Sequence, residues 1–155
     1  MKQNQYEIIV LDLDGTLTNR DKVITPRTKK ALMEAQARGK KVVLASGRPT
    51  QGVMPLAEEL DLPVIVHDRE AHQDCLSIVR EHPQVTGVYH CYSGSLEDAK
   101  VLVKLGWMLS FTGVITYKNA RKALEVIDWL PMDRIMIETD SPYLTPEPFR
   151  GKRND

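Results

Sequence analysis

Two carboxylates stand two residues apart at Asp12 and Asp14, directly after the unbroken apolar run Ile8-Ile9-Val10-Leu11, and Gly15 and Thr16 follow them. Acids at the carboxyl end of a buried strand lie where open parallel sheets bind ligands. They are close enough to serve one metal ion or one reacting group, and without such a partner each would raise the other's pKa. A second donor set is spread over later apolar runs. His67 ends Val64-Ile65-Val66, His90 ends Val88-Tyr89, and Asp140 follows Ile135-Met136-Ile137-Glu138-Thr139. Two imidazoles and a carboxylate on parallel strands are a ligand set for Zn2+ or a similar ion. The simpler readings are acids that cap a turn and histidines that hydrogen-bond within loops.

Six apolar runs must position these groups: about Glu7–Leu13, Lys41–Ala45, Pro63–His67, Gly87–His90, Met108–Phe111 and Arg134–Glu138. Each pair of runs is separated by enough chain for one helix, an alternation that predicts a parallel sheet. Thr25 as N-cap, Pro26 at the first helical position and Gly39 as the stop punctuate the first helix, with Ala31, Leu32 and Ala35 on one face. The second spans Thr50–Leu60, where Pro55 starts or kinks the first turn. The third spans Glu70–Glu81 and buries Ala71, Cys75, Ile78 and Val79; the fourth opens at Ser95, stops at Gly106 and buries Ala99, Leu102 and Val103. In the fifth, Asn119–Leu130, the inward residues read as Ala120, Ala123, Leu124 and Ile127. From Ser141 to Arg150 the chain has no period and three prolines, which predicts an extended surface segment.

The stretch Leu11-Asp12-Leu13-Asp14-Gly15-Thr16 resembles the first motif of the haloacid dehalogenase superfamily of phosphatases. Thr25-Pro26-Arg27-Thr28 and Ala45-Ser46-Gly47-Arg48-Pro49 extend the likeness toward its Cof-type sugar phosphatases, and it covers residues 1 to about 62. The resemblance implies a nucleophile at Asp12, a general acid/base at Asp14, phosphate contacts at Thr16 and Ser46, and Mg2+ held partly by Asp12. From about residue 62 a different family takes over. Pro63-Val64-Ile65-Val66-His67-Asp68-Arg69-Glu70-Ala71, Gly87-Val88-Tyr89-His90-Cys91-Tyr92-Ser93-Gly94 and Ile137-Glu138-Thr139-Asp140-Ser141-Pro142-Tyr143-Leu144 closely resemble the TatD-type metal-dependent deoxyribonucleases. That resemblance implies metal ligands at His67, His90 and Asp140, with Asp140 also near the attacking water. Gly151-Lys152-Arg153-Asn154 matches as well, and the family's chain would continue from there into a final helix.

The two likenesses meet near Leu60-Asp61-Leu62-Pro63, inside what reads as one sheet. We therefore expect one domain, 1–155, recombined from a phosphatase-like fragment (1–62) and a nuclease-like one (63–155), because right-handed strand-helix-strand units of two parents can be grafted at a strand. The expected class is α/β: an open parallel six-stranded sheet with helices on both faces, a three-layer, Rossmann-like sandwich. The alternative is a partial βα barrel whose exposed inner face drives dimerisation. At 155 residues the chain is shorter than the roughly 200 that a complete eight-stranded barrel needs.

Each resemblance is incomplete in its chemistry. The phosphatase pattern calls for a later Lys and a further acidic metal motif, and neither stands in recognisable form after residue 62. The nuclease pattern calls for an early His-x-His pair and a bridging Glu, yet no histidine precedes His67. Little or no catalysis is expected; residual Mg2+-dependent phosphatase activity through Asp12 and metal-dependent nuclease activity are the alternatives. Mg2+ or another divalent cation is the expected cofactor, with an ion-free chain as the other outcome.

Lys plus Arg equals Asp plus Glu at 21 each, so no global field recruits nucleic acid or an anionic membrane. We expect no nucleic-acid partner despite the nuclease-like half, no membrane association, and a monomer with a dimer as alternative. Cys75 and Cys91 read as small packed residues of a reducing compartment. Met1-Lys2-Gln3-Asn4-Gln5 lacks the apolar run of a signal peptide, and the cytoplasm is the expected location.

Overall fold

The computed structural model describes residues 6–155, so the reading of residues 1–5 lies outside the described residues. Six strands form a single sheet: β1 (Ile8–Leu11), β2 (Lys41–Ala45), β3 (Val64–His67), β4 (Gly87–His90), β5 (Met108–Phe111) and β6 (Ile135–Ile137). All neighbours are parallel and the spatial order equals the chain order, β1 to β6. Helices α1 (Pro26–Ala37), α2 (Thr50–Leu60), α3 (His72–Glu81), α4 (Leu96–Lys104) and α5 (Arg121–Trp129) fill the crossovers.

Local chemistry sets these helices. Thr25 Oγ1 accepts from the Thr28 backbone N–H at 3.2 Å, and Pro26 begins α1. Gly39, with φ of 76°, turns the chain out of α1. Pro55 lies inside α2, and Asp61 in the left-handed region ends that helix. Ser95 Oγ accepts from the Asp98 N–H at 3.1 Å and opens α4. In α5 the buried residue is Val126, flanked by half-buried Ala123 and Ile127 and followed by buried Leu130, whereas Leu124 is exposed. The inward stripe therefore runs Ala120, Ala123, Val126, Ile127 and Leu130 rather than through Leu124.

The open six-stranded parallel sheet matches expectation, but its layering does not. Right-handed crossovers between strands added in sequential order put every helix on the same side. Burial follows that rule. Val42, Leu44, Val64, Val66, Tyr89, Leu109 and Phe111 are buried on the helix side, where they pack with Met54, Ala57, Leu76, Val79, Leu102 and Trp107. On the other side Ile8 and Val10 are exposed, and Val43, Ala45, Ile65, Val88 and Met108 are only half-buried. Helices on both faces are thus corrected to helices on one face, which is the partial βα barrel of the alternative reading. The sandwich would need a reversal of strand order, and the chain makes none.

The boundary between the two resemblances runs into β3. The β2–β3 ladder is short, pairing Leu44 with Val64 and Ala45 with Ile65, whereas β1–β2 and β3–β4 each align four residue pairs. Side chains reinforce it on the helix layer. Thr50 and Cys75 meet at 3.3 Å between α2 and α3, and His82 Nδ1 contacts Glu58 Oε2. Met54 and Ala57 of α2 and Leu76 and Val79 of α3 share the core.

Candidate functional site at the carboxyl edge of the sheet

Because every strand runs the same way, all the candidate residues sit along one rim, at the carboxyl ends of their strands or a few residues beyond. They fall into two groups. Around the ends of β1 and β2, Asp12 and Thr16 are exposed and Ser46 is half-buried, its Oγ accepting from the Arg48 N–H at 3.3 Å. Asp14 is fully engaged. Arg48 donates from Nε to Oδ2 and from Nη2 to Oδ1, both at 2.7 Å, and Lys22 Nζ lies 2.5 Å from Oδ1. Bidentate guanidinium-carboxylate pairs are the strong form of this contact.

The Arg48 guanidinium, and after it the Lys22 ammonium, hold the Asp14 carboxyl well below the usual carboxylate range. An acid held ionised is a poor proton donor near neutral pH. The general acid/base role expected of Asp14 would have to operate from within this ion-paired arrangement. It also carries a pH signature. A carboxyl whose folded pKa is depressed stabilises the fold above its unfolded value, about 3.9, and that contribution fades as pH falls toward the folded value. In urea unfolding, the difference between the wild type and Asp14→Asn should be constant from pH 7 to about 5 and shrink below about 4. A difference that is unchanged at pH 3 would contradict the pairing.

The second group follows β3, β4 and β6. His90 donates from Nδ1 to Glu138 Oε2, while its Nε2 lies 3.3 Å from Asp140 Oδ1. Glu138 also accepts from the Cys91 N–H at 2.6 Å and from the Ser110 hydroxyl. Ser110 is thereby buried on the otherwise bare face of the sheet. Asp140 takes a left-handed backbone, φ 54°. The Cys91 thiol beside this group is pushed up by burial, and Thr112 contacts its sulfur at 3.6 Å.

His90 and Asp140 suit a metal ion. Two donors bound to one tetrahedral ion at about 2.0–2.1 Å stand about 3.3–3.4 Å apart, the separation found here. A carboxylate on Nδ1 fixes the imidazole so that Nε2 points to the ion, as Glu138 does for His90. The third expected ligand does not join them. His67 and His90 are register partners on adjacent strands, so their rings lie side by side, with centroids 5.5 Å apart and planes tilted 36°. Asp12 belongs to the other group, three strand spacings from β4, about 14 Å along the sheet. Among the described residues, no three His, Cys, Asp or Glu side chains converge closely enough to hold an ion. Of the expected metal residues, the structure brings His90 and Asp140 into contact, while His67 stands beside His90 and Asp12 lies in the other group.

Two pairings escaped sequence reasoning. Glu138 is legible with Asp12, Ser46, His67, His90 and Asp140 as a polar residue at the shared sheet edge, yet nothing in its spacing reveals that it anchors His90, Cys91 and Ser110 together. Arg48 was visible only as part of a motif, and its pairing with Asp14 spans two loops.

Comparison with known proteins matches this division. Residues 48–155 match the family model described as TatD related DNase, and residues 9–68 match that of a haloacid dehalogenase-like hydrolase. The uncharacterized metal-dependent hydrolase YabD of Bacillus subtilis (strain 168) is 49% identical over 102 residues, 64% of this chain and 40% of that protein. The uncharacterized metal-dependent hydrolase YcfH of Escherichia coli (strain K12) is 46% identical over 102 residues, 64% of this chain and 38% of that protein. The chain thus spans about two fifths of the length of these relatives. The crystal structure of YJJV, a TatD homolog from Escherichia coli K12, superposes with a TM-score of 0.61 at 27% identity, covering 96% of this chain and 62% of that one. The two family matches overlap at residues 48–68, a span that contains α2, the expected boundary near Leu60–Pro63, and β3.

Proposed function

The chain belongs to the TatD related DNase family through residues 48–155, and from that premise we propose that it is a recombined scaffold, assembled from fragments of two phosphoester hydrolases and without efficient catalysis of its own. The reading rests on one observation above all: the rim brings His90 Nε2 and Asp140 together as a pair of metal donors, and among the described residues no group of three converges. An ion held by such a pair would supply a Lewis acid and an activated water. What this chain's residues do there is narrower: Glu138 orients His90, and Asp140 presents its carboxylate beside Nε2.

The relatives are named metal-dependent hydrolases, which supports divalent-metal chemistry in the parent family. In this chain several ligands would have to converge before an ion is bound tightly, since affinity rises with each donor fixed in place. Phosphoryl transfer depends mainly on positioning and electrostatics, so a partial donor set forfeits most of the rate. Asp14, locked to Arg48 and Lys22, weakens the phosphatase half in the same way.

A second reading, residual Mg2+-dependent phosphatase activity, is favoured by the exposure of Asp12 and its charge interaction with Arg48. A nuclease reading draws on the His90–Asp140 pair. Two assays test the proposal together. Hydrolysis of p-nitrophenyl phosphate with Mg2+ should match the Asp12→Asn protein, and DNA digestion with Zn2+ or Mg2+ should match His90→Ala. A rate that the matching substitution abolishes would overturn it. We take the chain to act in solution without nucleic acid as a partner, in the cytoplasm; no helix among the described residues is long and apolar enough to cross a membrane.

A further inference from the structure

We propose that the free edge of β1 is a self-association surface, at which a second copy of this chain adds its own β1 antiparallel to the first. Three observations carry this. Among the described residues the sheet ends at β1, with β2 as its neighbour on one side and an unpaired edge on the other. That edge is unprotected: Ile8-Ile9-Val10-Leu11 contains no Lys and no Pro, the usual devices against edge pairing. And the bare side of the strand is apolar, with Tyr6, Ile8 and Val10 exposed by 72%, 57% and 55%.

Backbone direction and side-chain direction agree on the same residues. The Lys41 N–H donates to the Glu7 carbonyl at 2.9 Å, so Glu7 faces β2. Alternation along a strand then turns the N–H and C=O of Tyr6, Ile8 and Val10 outward to the free edge, and their side chains lie together on the uncovered face. A twofold axis at Ile8 sets Ile8 against its own counterpart and Tyr6 against Val10 on each side. That register gives up to about six main-chain hydrogen bonds, and its aromatic to β-branched cross-strand pairs are stabilising. It also keeps Asp12 outside the paired segment.

The size of the surface selects the kind of dimer. The stripe exposes roughly 350 Å2, the size of the largest apolar patch on an ordinary monomer, which is often functional. Two stripes zipped together remove roughly 700 Å2 from water, short of the about 1,200 Å2 at which stable interfaces begin. The dimer is therefore weak and concentration-dependent. The opposite edge of the sheet does not compete well: β6 is three residues long, Ile135–Ile137, and leads into the proline-rich segment.

The register is testable by cross-linking. Sedimentation of the full chain should show monomer at about 5 µM and a mass rising toward dimer at about 500 µM, with Ile8→Lys remaining monomeric across that range. Under mild oxidation Ile8→Cys should give a covalent dimer, since paired residues across an antiparallel ladder stand about 5.5 Å apart, within disulfide reach. Ile9→Cys, on the helix-covered side, should not, and neither should the wild type with its buried Cys75 and half-buried Cys91. Ile8 is exposed, so Ile8→Lys should keep the wild-type circular dichroism. Constant monomer mass up to 500 µM, dimerisation of Ile8→Lys like the wild type, or cross-linking through Ile9→Cys alone would each overturn the proposal.

Discussion

Replacing Leu44 with Ala should lower the unfolding free energy by about 3 kcal/mol, as expected for a fully buried leucine whose cavity the surroundings fill only in part. Leu44 is completely buried at the centre of β2. Its register partners are Leu11 on β1 and Val64 on β3, so it touches both the phosphatase-like and the nuclease-like segments. The loss should lower the melting temperature by roughly 6–12 °C in a chain of this size. One calorimetric transition should move as a whole, because a shared sheet couples the two parts. Two transitions, of which only the one from the first 60 or so residues shifts, would mean that the halves fold independently.

The second large effect is expected at Glu138. Its carboxylate accepts from His90 Nδ1, the Cys91 N–H and the Ser110 hydroxyl, and its side chain is mostly buried. Glu138→Ala leaves three donors without their acceptor, and partly buried polar groups so stranded cost about 2–3 kcal/mol in total after allowance for the solvent that reaches them. Glu138→Gln should cost less, since one amide oxygen still serves Cys91 and Ser110 while its NH2 group opposes the His90 N–H. Chemical denaturation of the three proteins checks the order. Equal stability of Glu138→Ala and the wild type would remove Glu138 from the account.

How much of this was legible beforehand follows from what each feature depends on. The six strands and five helices are set by local signals such as Thr25-Pro26, Gly39 and Ser95, and by apolar runs like Val64-Ile65-Val66, so sequence reading located them closely. Layering is not local. Val43, Ala45, Ile65 and Val88 are as apolar as their buried neighbours, because such strands are covered on both faces in a sandwich and in a closed barrel alike. Only the strand order distinguishes a bare face from a covered one, and no residue encodes that order by itself. The same limit applies to the rim. Sequence placed His67, His90 and Asp140 at strand ends, but which of them meet depends on register, and His67, aligned with His90, lies beside its ring while Asp140 meets its Nε2. The Arg48 to Asp14 pair depends on loop conformation after β1 and β2, which residue type leaves open.

The boundary between the two resemblances shows how one sheet can hold across it. Parallel strands accept a new neighbour wherever strand spacing and crossover hand agree. Here the two-pair β2–β3 ladder is backed by apolar contact between α2 and α3 and by the Thr50–Cys75 and His82–Glu58 contacts. Catalysis in general has less tolerance, because it depends on reacting groups held in exact positions.

Calorimetric titration of the full chain with Zn2+ tests this most directly. Two donors in place of four should yield about half of the 10–16 kcal/mol of a complete structural zinc site, hence a dissociation constant on the order of tens of micromolar, weakened further in His90→Ala. One equivalent bound in the nanomolar range would show that His67 or another residue completes the centre, and would contradict the account.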